Sequence, residues 1–215
     1  MTEISPALAA LQQQLQASSL KTIRASDVIQ KHVEWLWLNR VARGKLTLIA
    51  GDPGLGKSQI GIDIVARLTT ARAWPDGSTA PLGSCIILAS EDAANDTICP
   101  RLELAGADLG KVHIVQSVVE KNEQRAFSLQ RDLEALTAKT KELGDAIFVS
   151  IDPITAYLGA DVDSHQTSDV RAVLSRLERF ADEQKIATLG ITHPPKAAQA
   201  KAINASELVL PSHAG

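Results

Sequence analysis

Aromatic side chains are scarce in this sequence. Three tryptophans, three phenylalanines and one tyrosine make up 3% of its 215 residues. Any core must therefore be built mainly from Leu, Ile, Val and Ala. Cysteine is almost missing as well. Cys85 and Cys99 are the two present, and they form no C-x-x-C pair and no zinc-ligand spacing, which excludes a zinc ribbon. Cys85 opens an apolar run and reads as a buried structural thiol. Positive charge is not in excess. The formal charge of −3 gives no general attraction to nucleic acid, so contact with DNA or RNA would need a local basic patch or a ring of subunits. No apolar stretch is long enough to cross a bilayer and no signal peptide is read, so a cytoplasmic protein with no membrane partner is expected.

What is present suits one globular domain. Apolar residues make up 45% of the chain and charged residues 22%, ordinary values for a chain that buries a full core. Residues 1–25 read as an N-terminal arm, with a short helix over 5–17 that Ser5 caps and Pro6 opens. From residue 26 onward the chain reads as one α/β domain. Ser26-Asp27 opens a segment that runs to Leu38. Leu46–Ala50 is an apolar run expected to be a buried strand. A helix should cover about Lys57–Ala73, broken by Trp74-Pro75-Asp76-Gly77. Cys85–Ala89, Val112–Val115, Ile147–Ile151 and Ala187–Thr192 are further strands. Between them, Thr97 can cap a helix with Pro100 in its first turn and Gly106 at its end. Leu129, Leu133, Leu136 and Leu143 share a helical face ahead of Gly144. Val170, Val173, Leu174, Leu177 and Phe180 mark Asp169–Glu183 as amphipathic. Apolar strands alternating with helices predict a central, mainly parallel sheet with helices on both faces.

One motif carries most of the chemistry. Gly51-Asp52-Pro53-Gly54-Leu55-Gly56-Lys57-Ser58 fits G-x-x-x-x-G-K-[ST] in full, between a strand and a helix. In such a P-loop the glycines let backbone N–H groups curl around phosphate oxygens, and the helix start adds partial positive charge. The loop and Gln59 are thus the expected nucleotide contacts. Lys57 should reach the β- and γ-phosphates, and Ser58 should hold Mg²⁺. Asp152, ending the Ile147–Ile151 strand, is the expected second Mg²⁺ residue. Glu91, in Ser90-Glu91-Asp92 at the end of another strand, is placed to act on the attacking water, because ligands of parallel sheets lie outside the carboxyl ends of the strands. Asp92 reads instead as a solvated loop carboxylate or a helix cap. His193, after Thr192, is placed to touch the γ-phosphate, or else is a surface histidine. Asp161-Val162-Asp163-Ser164-His165 lacks the glycine and glutamate of a calcium loop and reads as a solvated loop. Trp35 and Trp37 read as packing beneath the first strand, or else as a base-stacking platform.

Taken in order, the P-loop, Ser90-Glu91-Asp92 with Asp96-Thr97-Ile98 and Pro100-Arg101-Leu102, Asp152-Pro153 with Val162-Asp163-Ser164-His165, and Thr192-His193 resemble the RecA-like ATPases of the RepA type. These are hexameric plasmid and phage replicative helicases and their relatives. The likeness runs from about Arg24 to about Ala205. It implies a RecA-like fold, ATP with Mg²⁺ as the bound cofactors, a homo-oligomer (a hexamer) and single-stranded DNA as a partner. It implies Glu91 as the catalytic base and His193 as a nucleotide sensor. Such domains continue past the stretch matching Lys201-Ala202-Ile203-Asn204 into strands that carry an arginine for a neighbour's ATP. Here Leu208-Val209-Leu210-Pro211-Ser212 is followed by the last residue, Gly215, and no arginine follows Arg179. A domain lacking its last strands, with slow turnover, is therefore expected. A nucleotide-dependent switch and a RadA-like recombination ATPase are the two alternative readings.

Overall fold

The computed structural model describes residues 20–30, 32–159 and 167–193. The expected helix over 5–17, the loop Asp161–His165 and everything after His193 lie outside these. The chain divides into two units, Met1–His32 and Val33–Gly215. In the first, the described residues hold one 3₁₀ turn, Ala25–Asp27, closed by the Asp27 N–H donating to the Arg24 carbonyl at 2.9 Å.

The second unit opens with a small hairpin, β1 (Trp35–Trp37) and β2 (Val41–Ala42), which pair antiparallel. Then β3 (Leu46–Ala50) leads to α1 (Lys57–Thr70), and β4 (Ser84–Ala89) leads through a π-helical turn (Ala94–Ile98) to α2 (Cys99–Leu104). Next come β5 (Val112–Ile114) and a second hairpin, β6 (Val118–Glu120) with β7 (Glu123–Arg125). The chain ends its described course with α3 (Leu133–Leu143), β8 (Ala146–Asp152), α4 (Thr167–Gln184) and β9 (Ala187–Thr192). Five strands form one sheet in the order β3-β9-β8-β4-β5, and every pair is parallel.

Alternate residues of the central strands feed two cores. Cys85, Ile87, Phe148, Leu189 and Ile191 pack with Leu68 of α1 and Leu102 of α2 on one face. Ile86, Leu88, Val149 and Ile151 pack with Leu136 of α3 and Val173, Leu177 and Phe180 of α4 on the other. Helices thus cover both faces, as the continuous apolar strands predict. Burial of the Cys85 thiol pushes its pKa well above the ordinary thiol value, in keeping with an inert structural role.

Three local expectations are revised. The run Leu46–Ala50 is a strand but not a buried one. Among the described residues only β9 pairs with it, so it forms a sheet edge, and Leu48 stays 49% exposed. An apolar run signals a strand without saying which neighbours it has. Thr97 does not cap a helix. It lies within the π-helical turn, and its hydroxyl donates to Asp96. The first helix ends at Thr70 rather than Ala73, because Ala71 turns left-handed at φ 53°. Trp37 proves to be packing, whereas Trp35 is 38% exposed. The Trp37 ring stacks on Trp74 with centroids 4.8 Å apart, and Arg40 covers its other side at 4.7 Å. Its indole N–H donates to Asp76 at 2.8 Å. Hydrogen bonds from Ser78 first, and then from Trp37, bring the Asp76 carboxyl down to about 2. The stack fastens the first hairpin to the break after α1.

The second hairpin is fastened by a charge. Arg125 grips Asp132 with two bonds of 2.7 Å, and the Ser128 N–H donates to the same carboxylate at 2.8 Å. The Asp132 side chain is 5% exposed. Arg125 holds its carboxyl below the usual carboxylate range, against the opposing effect of burial. A carboxylate with a lowered folded pKa stabilises the fold above its unfolded value, near 3.9, and loses that contribution as pH falls through the folded value. Asp132→Ala should cost about 2–3 kcal/mol at pH 7, since it removes two charge-assisted bonds from Arg125, which keeps its bond to Glu120, and leaves the Ser128 N–H without its acceptor. Urea melts at pH 7 and pH 3 check this: the gap between variant and wild type should be wider at pH 7 than at pH 3.

Candidate functional site

Parallel pairing sets the carboxyl ends of β3, β9, β8 and β4 along one rim. Ala50 pairs with Thr192, Ile151 with Gly190, and Ala89 with Asp152. The loop after β3, His193 after β9 and Ser90-Glu91-Asp92 after β4 therefore emerge side by side. The Ser90 N–H donates to the Asp152 carbonyl at 3.2 Å, which ties the Glu91 loop to the end of β8.

The loop from Gly51 to Gly56 enters α1 through two left-handed glycines, Gly54 at φ 82° and Gly56 at φ 77°. A side chain at either position would be strained. No side chain caps α1, so its first N–H groups are available to an anion, and the helix field favours one there. Lys57 is 6% exposed, yet its ammonium donates to a neutral partner, the Asp52 carbonyl, at 2.8 Å. A buried cation bonded to a neutral oxygen is a ready partner for an incoming anion.

Small-molecule sites are usually clefts of about 300–1,000 Å³. The cleft over this loop, about 560 Å³, is lined by Pro53, Gly54, Gly56, Lys57, Ser58, Gln59, Glu91, Arg101 and His193. Most of the expected site residues thus meet in one place. Gly51, Asp52 and Leu55 do not line it. Asp52 turns its carbonyl to Lys57, and Leu55 is 68% exposed. His193 Nδ1 is buried and makes no hydrogen bond among the described residues. Asp152 lies off the main cleft, in an adjoining hollow of about 30 Å³ that Ser58, Ser150, Asp92 and Arg101 also line. That is roughly the volume of one water molecule. Hydroxyl and carboxylate oxygens are the hard ligands Mg²⁺ prefers, and one or two carboxylates completed by phosphate oxygens are its usual protein share. Among the described residues there is no cluster of three or more His, Cys, Asp or Glu side chains that could hold a metal ion.

Sequence reasoning missed two residues here. Asp92 is a partly solvated loop carboxylate, as one reading had it, and not a cap, since Ala93 stands at that position; what was missed is that its Oδ2 accepts from Arg101 Nη1 at 2.7 Å. Arg101 reaches the cleft from α2, across a turn of irregular pitch. The one available signal was its place in Pro100-Arg101-Leu102, shortly after Glu91.

A parallel sheet, a glycine loop feeding an uncapped helix, and an acidic residue closing a nearby strand define a P-loop ATPase fold. The chain belongs to the AAA domain family, whose model matches residues 11–199. Comparison with curated proteins gives no match. Among the described residues no helix is long and apolar enough to cross a membrane.

The cleft depends on how closely α1 lies on the sheet. A side chain starting at Gly61 would put its Cβ 3.2 Å from Ser150 Oγ on β8 and 3.7 Å from Ile191 Cδ1 on β9. Gly61→Val should push the helix outward and cost about 1–3 kcal/mol. Thermal melting is the check, with a midpoint lowered by roughly 3–10 °C for a domain of this size.

Proposed function

We propose that this chain binds Mg-ATP in the cleft and hydrolyses the β–γ bond, as a RecA-like ATPase of the RepA type that drives work on DNA in plasmid or phage replication. The observation that carries the ATP-site reading is Lys57, a buried ammonium facing a neutral carbonyl at the foot of a cleft shared with Glu91 and His193.

Each residue has a distinct part. The amides at the start of α1 and the Lys57 ammonium bind the phosphate oxygens and meet the charge that grows on them as the bond breaks. Lys57 exchanges the Asp52 carbonyl for phosphate. Glu91 orients a water molecule and takes its proton as the oxygen attacks the terminal phosphorus and ADP departs. His193 faces the same cleft and senses whether the terminal phosphate is there. Ser58 and Asp152 are the residues that would hold Mg²⁺, which when bound offsets charge on the phosphate oxygens. The resemblance set out above supports a ring of six copies as the assembly and single-stranded DNA as the partner.

Three substitutions separate these parts. Lys57→Ala should lower ATP affinity by about 100-fold or more, since charge-assisted contacts to phosphate are lost. Glu91→Gln should keep affinity and lose about 10²- to 10⁴-fold in turnover, the usual worth of a general base. Asp152→Asn should raise the Mg²⁺ concentration needed for half-maximal binding. Calorimetry and a phosphate-release assay check all three. Normal hydrolysis by Glu91→Gln would mean that another group activates the water.

The proposed work on DNA has its own test. Turnover measured at low salt should rise severalfold when single-stranded DNA is added, and the DNA dependence should fade as salt screens the contact. Tight ATP binding with no turnover under either condition would replace the motor with a nucleotide-dependent switch.

A further inference from the structure

Arg101 has no part in the roles above, yet it lines the cleft together with the loop. Lys57 and Arg101 are the two permanent cations among the residues lining that cleft. Their settings differ. Lys57 is buried at the foot of the loop, whereas the Arg101 side chain is 43% exposed on α2.

The grip on Arg101 is light. Nη1 alone donates to one oxygen of Asp92, at 2.7 Å, and the Asp92 side chain is itself 34% exposed. Arg125 shows the other extreme in the same molecule, with both terminal nitrogens on both oxygens of a buried Asp132. An end-on, solvated pair is weak and easily exchanged. A phosphate group carries more charge than a carboxylate and accepts a guanidinium in two-pronged fashion. Asp92 adjoins Glu91 in sequence and borders the hollow beside Ser58 and Asp152. Both Arg101 and its carboxylate partner therefore sit where the end of a polyphosphate would lie.

We propose that Arg101 is a phosphate-contacting catalytic residue supplied by the same chain, held by Asp92 until a nucleoside triphosphate takes it over. The guanidinium then contacts the terminal phosphate and carries part of the charge that develops on it during hydrolysis. No bond to Arg101 forms or breaks, and its proton stays in place. The pair also gives the cleft a means of telling three phosphates from two, because a diphosphate held by the loop and Lys57 lacks the group that Arg101 meets. This inference rests on reading the cleft as a nucleoside triphosphate site.

The test compares ADP with a non-hydrolysable ATP analogue by calorimetry, and adds single-turnover hydrolysis of ATP, for the wild-type chain, Arg101→Ala, Arg101→Lys and Asp92→Asn. Arg101→Ala should keep ADP affinity within about twofold and lose about 10- to 100-fold for the ATP analogue, the worth of one charge-assisted contact. Its single-turnover rate should fall by about 100-fold or more, toward the range seen when an arginine is removed from a phosphoryl-transfer site. Arg101→Lys should regain part of the affinity and little of the rate, because lysine offers a point charge without the planar fork. Asp92→Asn releases the arginine and should hold the ATP analogue at least as tightly as the wild type. Equal losses for ADP and the ATP analogue in Arg101→Ala, or an unchanged single-turnover rate, would overturn the proposal and leave Arg101 as a strut for the Glu91 loop. If Arg101→Ala does not fold, Arg101→Lys decides by the same split between affinity and rate. A wild-type chain that binds neither nucleotide overturns the ATP-site reading as well. Wild-type ADP binding, with no split between the nucleotides in the variants, overturns this inference alone.

Discussion

Hydrogen bonding in parallel register governs the geometry of this molecule. A parallel ladder forces neighbouring strands to finish on the same side, and the residues that follow them have nowhere else to go. Ala50 opposite Thr192 and Ala89 opposite Asp152 bring together loops that are far apart in sequence. The site is thus a product of sheet register first and of local loop shape second. A slip by one residue between β4 and β8 would exchange the two faces of β8. Phe148 and Val149, each fully buried in a different core, would then have to trade places. The two cores are what lock the rim.

Alignment of the loops does not by itself make a cleft. The helix behind the loop must come close enough for its first turn to reach the rim, and Gly61 permits this against Ser150. Its missing side chain and the two left-handed glycines of the loop act on the same object from opposite ends. One sets how near the helix lies, and the others set the direction from which the backbone enters it. The electrostatics follow from this arrangement. A helix start with no side-chain cap and a lysine whose ammonium donates to the Asp52 carbonyl place positive potential at the foot of the cleft.

Much of this was legible in the sequence, and the reasons are specific. Central strands of a parallel sheet are covered on both faces, so Ser84–Ala89, Ala146–Asp152 and Ala187–Thr192 stand out as apolar runs. The α4 helix shows its buried stripe through Val173, Leu177 and Phe180. The P-loop is readable because each position has a backbone or charge requirement of its own. The small hairpins were not legible. β2 has two residues, β7 is Glu-Gln-Arg, and their turns rest on left-handed Asn39, Lys121 and Asn122, none of them glycine. The Asp92–Arg101 pair was hidden for another reason. It spans a π-helical turn, so neither helical nor strand spacing connects its members. The edge position of β3 was equally invisible, since apolar content reports burial potential and not the number of neighbours.

The tryptophan stack has an optical consequence. All three tryptophans, Trp35, Trp37 and Trp74, belong to the first hairpin and the break after α1, and none lines the cleft over the glycine loop. Two of them lie face to face, with ring planes 1° from parallel, close enough for their excited states to mix. Intrinsic emission and near-ultraviolet dichroism of this protein are therefore local instruments. They watch a single corner, and they will register the seating of the hairpin long before they register anything that happens among the phosphates.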